Sequence, residues 1–450
     1  MFNNICIDVD YSQLYKHGQQ IGGDVFLLKR NNDQNRICAT LSDGLGSGVR
    51  ANVLASLTAH MAQKMSFSPM SLTHSAEIIM DTLPVDSVKG ISYSTFTIAQ
   101  IVYTPGKDNI EVALVEYDNP DSLRYHYSTP IEWDKHADKL NRKSAIKDET
   151  VYSSYFKMNI GDRLIYFSDG VAQAGVSLGS IDTDEDYKFS TDLRSASGQS
   201  LKAQYGASGP ALNIKSVGSA NSRNSATNSE VSSKGWGVEN VRKFITDILR
   251  KNPDISSRDL SRAIVTQAYS YDNYKANDDI TCVVVHIRKP RRTLIVTGAP
   301  RSKEYDKVLG NKIKNYDGKV IVAGGTTAQI VARELGTSVK PDKSPSGDLP
   351  PASIIEGVTL TTEGMLTLTK ATDRLSDKVL LKHMPEDPAK EIIKIMRETD
   401  QVEIIVGTQI NEDVQDPTLA VNIGVRIPMI TRLKRALEEN YLKEVQVSYV

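Results

Sequence analysis

The sequence predicts an α+β protein: antiparallel sheets flanked by helices over residues 1–288, then a smaller α/β domain over residues 293–450. Three observations support this. The first region carries short β-rich runs that regular helices do not separate, which argues against a doubly wound parallel sheet. KPRR at 289–292 breaks the last run with proline and clustered charge, as a linker does. Beyond it, three strands end in glycine and alternate with helical segments, the pattern of an α/β unit.

Taken in order, the β-rich runs are 25–28, 37–41, 95–102, 110–115, 163–167 and 280–287, several of them bounded by Gly, Asp or Asn. The segment from Val49, VRANVLASLTAHMAQKM, aligns Val53, Leu57 and Met61 and predicts an amphipathic helix with those residues as its apolar face. GVENVRKFITDILRK from Gly237 does the same with Val238, Val241, Ile245 and Leu249, and Trp236 just before it is placed for packing. Residues 177–234 open on Asp182, Asp184, Glu185 and Asp186 and continue as Ser, Ala, Asn and Gly. Such a segment buries too little apolar surface to offset its ordering entropy, so a disordered low-complexity insertion is expected. After the linker come the strands LIVTG, KVIVAGG and VEIIVG, with helices expected at 302–314, 326–335 and 389–398 and a closing amphipathic helix at 429–441.

A chain of 450 residues favours two or three domains. Lys plus Arg (54) balance Asp plus Glu (55), which gives no electrostatic reason to expect nucleic acid or an anionic membrane as partner. Cys6, Cys38 and Cys282 form no Cys-x-x-Cys pair and lie in or beside apolar runs, so they read as small buried hydrophobes in a reducing cytoplasm. The first residues lack the succession of a secretory signal, and no apolar stretch is long enough to span a bilayer.

The chemistry is carried by four Asp motifs: GGD at 22–24, SDGLGSG at 42–48, SDG at 168–170 and NDDIT at 277–281. Each sits at the edge of a β-rich run. Carboxylates at strand ends converge on one point while their backbones stay rigid, and a neighbouring glycine lets the backbone approach closely. A single Asp-Gly is usually just a turn. Four together would repel one another unless a cation joined them. No His or Cys accompanies them, and an all-oxygen set favours Mg²⁺ or Mn²⁺ over Zn²⁺.

The ordered motifs GGD, DGLGSG opening a helix, STFTIAQI, LIYFSDGV, GWG and NDDITCVVV resemble the PPM family of metal-dependent protein phosphatases, bacterial SpoIIE-like branch, over residues 1–288. The resemblance implies a β-sandwich of two antiparallel sheets with two ions, Mn²⁺ or Mg²⁺, at one edge. It implies that Asp24 and Asp43 ligate and bridge the metals, with the Gly44 carbonyl as an extra ligand, and that Asp169 and Asp278 complete the coordination of the second ion. Aligning DDIT with the family motif selects Asp278, with Asp279 as the alternative. The implied activity is hydrolysis of phosphoserine or phosphothreonine by a water activated between the ions. The implied substrate is a phosphoprotein of bacterial signalling, such as an anti-sigma-factor antagonist or a similar small regulatory domain. Leu45 stands where the eukaryotic enzymes keep a histidine, so that general acid is missing and none is assigned. His17 and Arg50 lie close to the motifs in sequence, and solvated surface explains each as well.

Two further readings follow from the residues. In VIVAGGTTAQIVAREL a strand, two glycines and a helix start near Thr326 expose free amides suited to an anion; strands ending near Gly298 and Gly407 converge on the same crevice. The resemblance also implies a regulatory role for 293–450. The alternative to an enzyme is a catalytically silent scaffold of the same fold whose C-terminal domain senses a ligand. An aspartate retained in all four motifs favours the enzyme.

Overall fold

The computed structural model describes residues 4–31, 33–83, 94–104, 110–140, 149–176, 235–408, 417–441 and 443–450. They form two compact units, one within residues 8–286 and one built mainly on 287–450. The segment 177–234, expected to be an insertion, lies outside the described residues.

The first unit runs β1 (Cys6–Leu14), β2 (Asp24–Asn31), β3 (Arg36–Gly44), α1 (Gly48–Met65), α2 (Leu72–Thr82), β4 (Ser94–Tyr103), β5 (Ile110–Tyr117), β6 (Leu123–His126), β7 (Thr129–Ile131), β8 (His136–Leu140), β9 (Glu149–Met158), β10 (Asp162–Phe167), α3 (Asp169–Ala172), α4 (Val238–Lys251), α5 (Ser257–Tyr271) and β11 (Ile280–Arg288). All six expected β runs fall inside these strands. One sheet has the order β2-β3-β4-β5-β9-β8 and is antiparallel at every pairing. The other has the order β1-β11-β10-β6-β7, antiparallel from β11 through β7.

Helices cover both sheets. Ala62, Ile79 and Met80 pack with Cys38, Phe96 and Ile98, while Val241, Ile245 and Ile264 pack with Ile165, Phe167 and Val284. The Tyr166 hydroxyl of β10 donates to the Ala39 carbonyl of β3 at 3.2 Å, joining the sheets. Trp236 is buried against Phe244 and Tyr271. The Trp236 backbone amide donates to the Ala174 carbonyl at 2.9 Å, and that of Gly237 donates to the Ala172 carbonyl at 2.7 Å. The chain on either side of 177–234 is thereby held together. Cys38 and Cys282 are buried and Cys6 is half-buried.

The face of α1 departs from the expectation at two of its three residues, while Met61 packs against the core as expected. Val53 is 59% and Leu57 45% exposed, whereas Ala51, Ala55, Thr58, Ala59 and Ala62 are buried. The reason is close approach: a Cβ added to Gly44 would lie 2.0 Å from the Ala51 carbonyl oxygen. A helix seated that near a strand has room for alanine and not for valine or leucine.

The second unit runs β12 (Arg292–Thr297), α6 (Lys303–Lys314), β13 (Lys319–Ala323), α7 (Gly325–Leu335), β14 (Lys340–Pro341), β15 (Ser353–Ile354), β16 (Leu360–Thr362), α8 (Met365–Ser376), α9 (Pro388–Glu398), β17 (Gln401–Val406), α10 (Pro417–Tyr441) and β18 (Glu444–Tyr449). The sheet order is β14-β15-β16-β13-β12-β17-β18, parallel from β16 to β18. Alternate strand residues serve opposite layers. Leu294, Val296 and Val322 meet α6 and α7 through Leu309, Ala328 and Val331. Ile295, Ile321 and Ile404 meet α8, α9 and α10 through Leu368, Ile392 and Leu433.

Two expectations are corrected here. The terminal helix begins at Pro417 rather than 429, and the chain closes with β18 rather than with that helix. EVQVSY is a half-exposed edge whose alternate polar residues hide it from an apolar-run search. Among the described residues, no helix is long and apolar enough to cross a membrane.

Candidate metal centre

Strand pairing assembles the acids. Asp24 and Asp43 are direct neighbours in the β2–β3 register. Pairing of Phe167 with Cys282 sets Ser168 and Asp169 beside the start of β11. There the Ser168 hydroxyl accepts from the Thr281 amide at 3.1 Å, and the Ser168 amide donates to the Thr281 carbonyl at 3.0 Å. The Thr281 hydroxyl then donates to Asp24 Oδ2 at 2.6 Å, across from one sheet to the other. The four motifs therefore meet at one edge of the paired sheets. Gly170 is required by the crossing, since a Cβ there would sit 2.2 Å from the Asp279 carbonyl oxygen.

The electrostatics are strained. Asp24 is only 3% exposed. Burial pushes its carboxyl well above the usual range, against the Thr281 hydrogen bond, and the charges of Asp279 and Asp169 add to the rise. Asp43 rises for the same reasons: burial first, then the charges of Asp24, Asp169, Asp278 and Asp279. Burial also raises Asp169, while Asp43, Gly170, Gln173 and Lys16 ease it. Asp278 is pushed up to about 6 by burial and by Asp169, with Lys16 opposing. Asp24 Oδ1 and Asp169 Oδ1 are buried with no hydrogen-bond partner among the described residues.

The two acids of NDDIT have different surroundings. Asp279 accepts the Gly23 amide at 2.6 Å on Oδ2 and the Lys16 amide at 3.0 Å on Oδ1. Both its oxygens are committed to the loop that carries Asp24. Asp278 accepts the amide of its own neighbour, Asp279, at 3.0 Å. Among the described residues, Asp279 is thus held at both of its oxygens and Asp278 at one. Sequence reading missed Asp279 as an anchor, along with Thr281 and Lys16. The Thr in NDDIT is a visible signal; the backbone amides that Asp279 receives, from positions 16 and 23, leave none. His17 and Arg50 are exposed.

Buried oxygens that repel one another and lack internal partners fit a hard divalent cation. Gly44, at the end of β3 beside Asp43, adds a backbone carbonyl. Among the described residues, no three His, Cys, Asp or Glu side chains are closed around a common point. The acids line an edge rather than form a finished cage.

Residues 33–205 match the family model described as stage II sporulation protein E (SpoIIE). The SpoIIE match contains Asp43, Gly44 and Asp169, while Asp24 and Asp278 flank it in sequence. No curated protein sequence matches the chain. Among solved structures, the chain is similar to the phosphatase domain of the cell fate determinant SpoIIE from Bacillus subtilis, at 14% identity over 64% of this chain and 95% of that one, with a TM-score of 0.37. It is also similar to the RsbU and RsbW domains of a Mycobacterium tuberculosis protein, at 13% identity over 68% of this chain and 67% of that one, with a TM-score of 0.38.

Proposed function

We propose that this chain is a metal-dependent protein phosphatase that hydrolyses phosphoserine or phosphothreonine in bacterial signalling. The observation that carries the reading is the convergence of Asp24, Asp43, Asp169 and Asp278 at one sheet edge, raised by burial and mutual charge, with two orphaned carboxylate oxygens. The SpoIIE match over 33–205 supports it.

The residues present fit two Mn²⁺ or Mg²⁺ ions. Asp24, Asp43 and the Gly44 carbonyl would hold one side, and Asp169 and Asp278 the other. When bound, such ions supply Lewis-acid neutralisation of phosphoryl charge and activation of water for in-line attack. The chain supplies rigidity. Thr281 fixes one oxygen of Asp24, and Gln173 donates to Asp169 Oδ2 at 3.0 Å, so each acid keeps its other oxygen free. Asp279 holds the loop at Gly23, next to Asp24. The substrate is proposed to be a small phosphorylated regulatory protein, such as an anti-sigma-factor antagonist.

The test is hydrolysis of a phosphopeptide with Mn²⁺, with Mg²⁺ and with chelator, for the wild type and Asp169→Asn. Expected are metal-dependent turnover and a loss of about 10²–10³-fold or more in the variant, the scale of removing one electrostatic stabiliser of a transition state. Turnover that survives chelation, or an unaffected variant, contradicts the reading. No turnover on any phosphoprotein favours the silent scaffold.

A further inference from the structure

In the second unit the chain runs outward from β12 through β13 to β16, with α6 and α7 on one face. It then returns to β17 on the opposite side of β12, with α8 and α9 on the other face. The strand order reverses between β12 and β17, and ligands of open parallel sheets bind beyond the carboxyl ends of the strands at such a point. Two glycines occupy those ends, Gly298 after β12 and Gly407 after β17. Arg426 of α10 lies over them. A Cβ added to Gly298, whose φ is +83°, would be 2.4 Å from Arg426 Nη1. The same nitrogen donates to the Gly407 carbonyl at 3.1 Å.

Among the described residues, this arginine has no counter-charge. Burial lowers its guanidinium, and no carboxylate among the described residues opposes that. Its Nε is buried without a partner among the described residues. The surroundings add positive potential. One strand over from β12, α7 starts at Gly325 after Gly324, with no side-chain cap. One strand further, α8 starts at Met365 after Gly364, also uncapped. The two starts nearly touch: a Cβ on Gly364 would lie 3.0 Å from the Gly324 Cα. Uncapped starts present free amides and a partial positive charge. Thr362, the last residue of β16, is 2% exposed, its carbonyl takes the Gly324 amide at 3.0 Å, and its hydroxyl oxygen is buried without a partner among the described residues. By contrast, α9 of the same unit caps itself through Asp387.

We infer that the carboxyl ends of β12, β13, β16 and β17 form a binding site for a phosphate-bearing small molecule, with Arg426 as its counter-charge and the starts of α7 and α8 as its amide cradle. A guanidinium over the ends of β12 and β17, with no carboxylate beside it among the described residues, and the uncapped helix starts after β13 and β16 favour an anion, and the close backbone approach at Gly298, Gly324 and Gly364 suits a compact tetrahedral group. This inference does not depend on the phosphatase reading, because the acid edge of the first unit repels anions when metal-free.

The test is calorimetric titration of the full chain, in chelator, with inorganic phosphate, AMP and ribose 5-phosphate in turn. Separate arms tell a bare phosphate from a nucleotide or a sugar phosphate. At least one probe is expected to bind. Arg426→Gln should weaken it roughly tenfold or more, with Arg426→Lys in between. A second variant, Gly325→Asp, guards against a folding artefact. A Cβ at Gly325 meets nothing within 4 Å, and an acid at that helix position is favourable to the fold. Its carboxylate should nevertheless abolish anion binding. No binding of any probe at millimolar concentration, or binding that both Arg426→Gln and Gly325→Asp retain, overturns the inference.

Discussion

The two units carry opposite charge imbalances. At the sheet edge of the first, the buried Asp24 and the half-buried Asp43, Asp169 and Asp278 gather, and Lys16 eases Asp169 and Asp278. At the switch point of the second, a guanidinium sits over Gly298 and Gly407 with no carboxylate beside it among the described residues. Elsewhere in the second unit, the buried Asp387 is matched: Arg374 grips it with bonds of 2.8 and 2.6 Å. Matched pairs serve the fold. Unmatched clusters cost stability and are retained where a ligand of opposite sign completes them. The contrast thus separates structural charges from site charges within one chain.

Substitution can break this contrast, and the largest effect is expected at a matched pair. Arg374→Ala leaves Asp387 buried without its counter-charge, keeping its cap bond to the Lys390 amide, which should cost about 3–5 kcal/mol of the second unit's stability. Denaturant unfolding measures it, and an unchanged midpoint would show that the pair is not structural. The pH response carries a sign. Although burial pushes Asp387 up, its bonds to Arg374 hold it below the usual carboxylate value of 3.8. Its contribution is present above that value and is lost as pH falls through the depressed one. In chelator, Asp278 behaves oppositely. Raised to about 6, it favours the fold below 3.8 and penalises it as pH rises through 6. Melting curves from pH 4 to 7 for the wild type and Asp278→Asn should therefore diverge, with the variant losing less stability as pH rises.

A middle-sized effect is expected at Asp279. Asp279→Ala should lower activity about 10–100-fold, the scale seen when a group that orients metal ligands is removed. Asp279→Asn, which keeps one acceptor, should fall between. The split between roles lies in metal titration: a positioning residue lowers kcat at saturating Mn²⁺, whereas full recovery at high Mn²⁺ would identify a direct ligand. The smallest effects test the seating of α1. Ala55→Leu should cost about 1–3 kcal/mol by overpacking, while Val53→Ser on the exposed face should stay within about 0.5 kcal/mol. Equal costs would return Val53 to the core.

Much of this was legible in the sequence for physical reasons. Aspartate beside glycine at a strand end is a local pattern, so all four acid motifs could be read from neighbouring residues. Branched runs marked the long strands for the same reason. The seating of α1 could not be read, because hydrophobicity ranks valine above alanine while the separation of helix and strand chooses alanine. Leu360–Thr362 is too short for any period to show, so β16 and the start of α8 beside it were invisible. Arg426 lies far in sequence from Gly298 and Gly407, and only the folded sheet brings them together.

The paired amides at Ala172–Gly237 and Ala174–Trp236 have a further consequence. They close the intervening chain into a loop whose two ends are fixed by the fold itself. Lengthening such a loop is thermodynamically cheap, at about 0.6 kcal/mol per doubling. The span between those ends is therefore a nearly free variable for evolution and for engineering. It can be shortened, replaced or loaded with a foreign sequence while the carboxylates a few residues away keep their places.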